Sequence, residues 1–373
     1  MRFSQVATSY MMTTTASYIH SQLEHGAEAL NWRIGRFAVE KIVPELNYSR
    51  RKGQAGRIGV LGGSIEYTGA PYYAAASTLQ VGADLAFIFT AEEASIPIKC
   101  YSPELIVIPS YNNEDDDATV TESMATTIEP WLDRLHALVL GPGLGRREGV
   151  LAGAARILEI AARDKGMPVI IDADGLYLVA QNPQIISGCP NVILTPNAGE
   201  YDRLLRRILP SDETQKCDTL APQAVADAKQ LMHLSQALGG VTIIKKGRID
   251  LISDGQSVLA VQDTGSPRRC GGIGDLLSGS TAVFTTWTSF LSTDDPIAAI
   301  DPDSNTTLAT ARPVLWAAYA ACVLARRASA SAFAIKRRAM TAPDILDKLG
   351  ETFEDMCPTS IPDDDDVKHD NAR

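Results

Sequence analysis

Ala137–Gly145 reads ALVLGPGLG, four apolar residues of strand type that run straight into a glycine-rich turn. The same pattern recurs in RIGVLGGS (57–64), ADLAFIF (83–89), ELIVIP (104–109), PVIIDADGL (168–176), NVILTPNAGE (191–200) and GVTIIKKG (240–247). Short runs of Val, Ile and Leu without polar alternation mark strands buried on both faces. Helix-like stretches stand between several of them, notably 70–83, 149–163 and 222–237. This alternation predicts an α/β fold, a mainly parallel central sheet with helices on both faces. LISDGQSVLAV (251–261) departs from the pattern and reads as a β-hairpin turning at Asp254-Gly255.

Outside this frame, RFAVEKIVPEL from Arg36 has helical spacing, and 276–290 and 312–337 also read as helices. The polar, proline-bearing stretch 292–311 between the last two reads as a surface insertion. No linker divides 36–358, which is expected to be a single catalytic domain. Residues 1–35 read as an N-terminal extension and 359–373 as an acidic tail, ends where disorder concentrates. Their removal is expected to leave melting temperature and turnover unchanged.

The chain has 373 residues, 45% of them hydrophobic, and a net charge of −11. That composition is globular, and the acidic balance without a basic stripe argues against nucleic acid as a partner. Glu114 to Asp117 and Asp363 to Asp366 hold part of the excess and read as solvated runs. Six irregularly spaced cysteines with no CxxC pair suggest neither a disulfide framework nor a zinc site. No apolar run reaches membrane-spanning length. Cytosol is the default compartment. The Ser/Thr-rich, acid-free first 20 residues leave mitochondrial targeting as a second reading.

In an open parallel sheet, ligands bind beyond the carboxyl ends of the strands. Polar and glycine residues gather there: Gly62-Gly63-Ser64, Gly141 to Gly145, Asp172 with Asp174, and Asn197 with Glu200. Each has a structural explanation of its own, since glycines close βα turns and an aspartate caps the next helix. Four in one crevice point to a site. Thr264 to Leu276, TGSPRRCGGIGDL, adds four glycines, two arginines and Asp275 just before a helix. Backbone N–H groups and the helix dipole at such a loop suit a phosphate, and an acid immediately after it suits a base that deprotonates a hydroxyl. No GxxxxGK[ST] occurs, and GPGLGR lacks the third glycine of the dinucleotide fingerprint. The five histidines lie outside the glycine-rich stretches and read as surface or packing residues.

The ordered set GSIEYTGAPYYAA, GPGLGR, DADGL, TPNAGEYDRL, KKGRIDLI and GSPRRCGGIGDLLSG resembles the ATP-dependent NAD(P)H-hydrate dehydratases over about residues 38–356. That resemblance implies a ribokinase-like fold, ATP and Mg²⁺ as cofactors, and hydrated NADH or NADPH as substrate. The C6 hydroxyl would be phosphorylated, and loss of phosphate would regenerate the reduced nicotinamide. It implies substrate contacts at Gly145, Asn197, Ala198, Gly199, Glu200, Tyr201, Asp202 and Arg203. ATP contacts are implied at Lys246, Gly247, Arg248, Ile249 and Asp250, and at Gly265, Ser266, Pro267, Arg268, Arg269, Cys270, Gly271, Gly272, Ile273 and Gly274. Asp275 would touch substrate and take the hydroxyl proton, with Mg²⁺ near Asn197 and Glu200 through water and phosphate. Ile273 departs from the glutamine common in the family, which removes one side-chain donor but no backbone donor. A homo-oligomer is compatible with this reading. The alternatives are a kinase of a vitamin-precursor alcohol, of hydroxymethylpyrimidine or thiazole type, and a non-catalytic nucleotide-binding regulator.

Overall fold

Nine strands join in one sheet: Arg57–Leu61 (β1), Leu85–Ala91 (β2), Ile106–Tyr111 (β3), Ala137–Leu140 (β4), Val169–Ile171 (β5), Val192–Leu194 (β6), Thr242–Lys245 (β7), Asp250–Ser253 (β8) and Val258–Val261 (β9). Their spatial order is β3-β2-β1-β4-β5-β6-β7-β8-β9. The coordinates are a computed structural model, and the described residues are 31–209, 223–305 and 307–359. The first seven strands pair in parallel, while β7, β8 and β9 pair antiparallel, as the hairpin reading of 251–261 requires. β4, β5 and β6 are buried along their whole length, which is why their sequences are apolar at every position. Chain order reverses between β1 and β4, so the crevice at their carboxyl ends is a topological switch point.

Eleven helices are described: Trp32–Glu40 (α1), Gly69–Val81 (α2), Glu92–Tyr101 (α3), Asp117–Leu132 (α4), Glu148–Glu159 (α5), Asp174–Gln181 (α6), Ala198–Ile208 (α7), Gln223–Ala237 (α8), Ile273–Thr288 (α9), Pro313–Lys336 (α10) and Ala342–Met356 (α11). Helix α9 is buried continuously from Leu276 to Trp287, its Ser and Thr hydroxyls included. Gly279 allows it to approach α2, because a Cβ there would stand 2.0 Å from the Ala74 carbonyl oxygen. The acidic run at 114–117 is not a plain solvated loop. Asp116 caps α4, its Oδ1 accepting from the N–H groups of Ala118 and Thr119. His136 accepts from the Arg57 N–H and packs edge-on to Phe290, a packing residue as expected. No helix among the described residues is long and apolar enough to cross a membrane.

Two expectations need correction. The stretch 292–311 contains an antiparallel pair, Ile297–Ile300 (β10) and Thr307–Ala311 (β11), rather than surface loop alone. The Trp316 indole N–H donates to the Ile297 carbonyl and ties this pair to the body of the protein. The fold also begins before residue 36. Asn31 caps α1 by accepting from the Ile34 N–H, Trp32 and Ile34 are buried, and the Trp32 ring stacks on Tyr319 of α10. The first 20 residues, Cys217 and Asp363 to Asp366 lie outside the described residues.

Trp32→Ala is therefore expected to cost roughly 3 kcal/mol, the usual penalty for truncating a buried aromatic. A chain starting at Arg36 should melt at a lower temperature than one starting at Asn31. Equal melting temperatures would return the boundary to residue 36.

Candidate active site

The carboxyl ends of β5, β6 and β7, the N-terminus of α9 and one face of α10 enclose a cavity of about 570 Å³. The loop from Gly265 to Gly274 forms one wall. Its shape is held by side chains: the Ser266 N–H donates to Ser329 Oγ, Ser266 Oγ accepts from the Arg268 N–H, and Arg268 Nε donates to the Met340 carbonyl. Gly272 caps α9 with φ 95°, and a Cβ there would meet the Ala342 Cβ at 2.5 Å. Only glycine satisfies both conditions.

Asp275 stands in the first turn of α9, facing the cavity. Its carboxyl is pushed up to about 8, first by burial, then by the negative field of Asp172, against the pull of Lys246. Lys246 Nζ donates to Asp172 Oδ1 at 2.9 Å. Burial acts to lower the lysine, but Asp172 and Glu200 outweigh it and hold the ammonium above its ordinary value. The pair lies directly against the glycine loop: a Cβ on Gly274 would sit 3.3 Å from Lys246 Nζ and 3.4 Å from Asp172 Oδ2. Asp172 is followed by Ala173 at φ 48°, ψ −116°, a conformation that L-residues avoid and that accumulates at functional sites.

Asn197 and Glu200 form a reciprocal capping box on α7. Asn197 Oδ1 accepts from the Glu200 N–H, and Glu200 Oε2 accepts from the Asn197 N–H. The structural and functional readings of this pair coexist, since both residues also line the cavity and burial raises the Glu200 carboxyl. The loop from Lys246 to Asp250 is fastened by a residue that sequence reading passed over. Arg326 of α10 binds Asp250 through Nε at 2.6 Å and Nη2 at 2.7 Å, and also donates to the carbonyls of Gly247, Arg248 and Asp263. The only local signal was a cationic pair inside an alanine-rich helix. Asp172 was visible as an acid after a strand, but its partner is far away in the chain.

The expected contacts divide into groups. Asn197, Glu200, Lys246, Gly247, Asp250, Gly265, Ser266, Arg269 and the run Cys270 to Asp275 line the cavity. Tyr201 is buried with its ring against Lys245, so its hydroxyphenyl group is a packing element. Arg268 is committed to Met340, and Arg248 offers its carbonyl to Arg326. Ile249 and Ile273 are partly buried against the core, and Ile273, which also lines the cavity, opens α9. Cys270 is half-buried at the cavity wall, where burial raises its thiol. Gly145, Ala198, Gly199, Asp202 and Arg203 lie outside the cavity's lining, Pro267 likewise. Gly145 belongs to the switch-point turn, its N–H held by Asp174 Oδ2 at 3.0 Å.

Residues 58–351 match the family model described as NAD(P)H-hydrate dehydratase. The chain belongs to the NAD(P)H-hydrate dehydratase family. A relative from Vitis vinifera named ATP-dependent (S)-NAD(P)H-hydrate dehydratase is 42% identical over 322 residues, covering 85% of this chain and 86% of its own length. The Homo sapiens protein of the same name is 44% identical over 326 residues, covering 86% and 84%. The Bacillus subtilis ADP/ATP-dependent NAD(P)H-hydrate dehydratase, co-crystallised with ATP/Mg²⁺, superposes with a TM-score of 0.56 at 21% identity over 86% of this chain and 97% of its own. A hydroxyethylthiazole kinase from Pyrococcus horikoshii superposes with a TM-score of 0.52 at 16% identity, covering 87% and 96%. A ribokinase-like superfamily protein from Enterococcus faecalis superposes with a TM-score of 0.62 at 20% identity, covering 86% of this chain and 94% of its own, and shows the ribokinase-like fold expected from sequence.

Arg326→Met should leave the Asp250 carboxylate buried without its cation. The expected cost is about 3–5 kcal/mol in thermal unfolding, as for other broken buried pairs. ATP should also bind at least roughly tenfold more weakly, the effect of about 1.4 kcal/mol of lost preorganisation. Unchanged ATP affinity in the folded variant would remove Arg326 from the nucleotide site.

Proposed function

We propose that this chain dehydrates the S-epimer of hydrated NADH or NADPH at the expense of ATP. The observation that carries the reading is Asp275: a buried carboxyl in the first turn of α9, immediately behind a glycine loop fixed by its own side chains. The backbone N–H groups of the loop and the positive end of α9 would hold the transferring phosphoryl group. Asp275 would accept the proton as the C6 hydroxyl oxygen attacks the γ-phosphorus and the bond to the β-phosphate oxygen breaks, leaving ADP. The C6–O bond then breaks, phosphate departs with the bonding pair, a proton is lost from C5, and the reduced nicotinamide ring is restored. Phosphoryl transfer asks the protein for positioned charge rather than covalent chemistry, and Lys246 supplies a fixed cation here.

The donor set also suits Mg²⁺. Carboxylate oxygens of Glu200 and Asp172 and the amide oxygen of Asn197 are hard ligands, and all three residues line the cavity. Glu200 and Asn197 would hold the ion, and when bound it would neutralise charge on the phosphates. A vitamin-precursor kinase would share this fold and this base but retain its phosphorylated product. The family match favours the dehydratase.

Asp275→Asn keeps the size of the side chain and cannot take the proton. Its turnover of hydrated NADH should fall by roughly 10²–10⁴, the usual contribution of a placed general base. The protein should fold and bind ATP normally. Appearance of reduced-nicotinamide absorbance, ADP and free phosphate in equal amounts checks the wild-type reaction. A stable variant running at wild-type speed would discard the proposed base.

A further inference from the structure

Beside the cavity, the carboxyl ends of β4, β5 and β6 bring together a second group of side chains, which includes two of the implied substrate contacts, Gly145 and Arg203, and which the mechanism above does not use. Asp174 spans two partners at the switch-point turn: its Oδ2 accepts from the Gly145 N–H at 3.0 Å, and its Oδ1 accepts from Arg146 Nε at 2.8 Å. One carboxylate therefore fixes both the turn and the guanidinium that follows it. The guanidinium carbon of Arg146 lies 4.5 Å from the centre of the Tyr177 ring, and that of Arg203 lies 5.9 Å from the same centre. The two cations are gathered on one aromatic side chain, with Asp174 as the acid that binds one of them. Holding like charges together without further neutralisation is unfavourable in the free protein, and an anion that meets both relieves it.

A second observation points the same way. Ser64, on the turn after β1, is 8% exposed, and its hydroxyl finds no hydrogen-bond partner among the described residues. It sits beside Gly145, whose Cβ position would be 3.7 Å from the Ser64 Cβ. Buried hydroxyls are normally satisfied, so a lone one next to a held glycine turn marks a place where a polar ligand arrives. The location also agrees, because this turn closes the β1/β4 switch point where open α/β sheets take their ligands.

We propose that Arg146, aimed by Asp174, and Arg203 form at the Tyr177 ring the subsite for the pyrophosphate of the dinucleotide substrate. This inference rests on the dehydratase reading and deepens it. The pyrophosphate carries two negative charges on adjacent phosphorus atoms, the charge pattern that two neighbouring guanidinium forks match. The nicotinamide end then lies toward Asp275 across the Asp172–Asp174 turn. That turn sends one carboxylate to Lys246 on the nucleotide side and the other to Arg146 on the substrate side. Asp174 is a positioning residue, since it acts through Arg146 and Gly145.

The test titrates full-length protein with NADH and, separately, with reduced nicotinamide riboside, which keeps the ring and ribose but has no phosphate. Arg146→Ala and Arg203→Ala should each weaken NADH roughly tenfold, the loss of a charge-assisted contact at a partly exposed site. Riboside affinity and ATP affinity should stay unchanged, and melting temperature should hold. Asp174→Asn, which still offers an oxygen to the Gly145 N–H, should weaken NADH by a smaller factor. Undiminished NADH binding in both arginine variants overturns the subsite. Equal weakening of NADH and riboside overturns it too. Turnover of hydrated NADH by the wild-type protein is measured beside these titrations. Absent turnover with intact arginine-dependent NADH binding would reject the dehydratase reading alone, and normal turnover with arginine-independent binding would reject the subsite alone.

Discussion

The Lys246 ammonium is the cation on which the rest of the site depends. Asp172, Glu200 and Asp275 all raise or feel its charge, and only Asp172 bonds to it directly. Without it, the carboxylates of Asp172, Glu200 and Asp275 would share one cavity wall without the cation that offsets their charge. With it, Asp172 and Lys246 form a pair beneath Gly274, while Asp275 is left as the acid whose proton is loosely matched to neutral pH. That division of roles is what a general base requires: one acid neutralised by a partner and another poised by its surroundings.

The sheet delivers these groups because parallel strands end on one edge. Asp172 leaves β5, Asn197 leaves β6 and Lys246 leaves β7, each within three residues of its strand. The glycine loop and α9 approach from the other side, with α9 anchored by close contact with α2 and by its burial from Leu276 to Trp287. Arg326 then fixes the Lys246–Asp250 loop from α10. Arg326, which fastens the Lys246–Asp250 loop, also ties α10 to β8. The strained Ala173 allows two successive acids to face different parts of the site.

Much of this was legible in the chain. Uniformly apolar runs located the parallel strands, Asp254-Gly255 located the hairpin, and the glycines of 265–274 followed by Asp275 located one wall of the cavity. What was not legible depends on partners distant in sequence. The burial of Trp32 rests on Tyr319, so α1 was read four residues short. Short alanine-rich strands such as IAAI carry little strand signal, and β10 is held by β11 and Trp316 rather than by propensity. Asn197 and Glu200 show both a capping box and a cavity wall, and the sequence alone cannot divide those roles. Arg326 looked like any cation on a helix until the fold brought it to Asp250.

General-base action at Asp275 depends on burial and Asp172 raising its carboxyl toward neutral pH, and the pH dependence of melting tests this most directly. Asp275 is raised from its ordinary value near 3.8 to about 8. Between those values the folded state binds a proton that the unfolded state has released, so this group's contribution to stability is complete below pH 4 and is lost as pH rises to about 8. Asp275→Asn does not titrate. Its melting temperature relative to wild type should therefore climb steadily from pH 4 to pH 8 and level off above that. A difference that stays flat across this range would show an ordinary exposed carboxylate at position 275 and contradict the account.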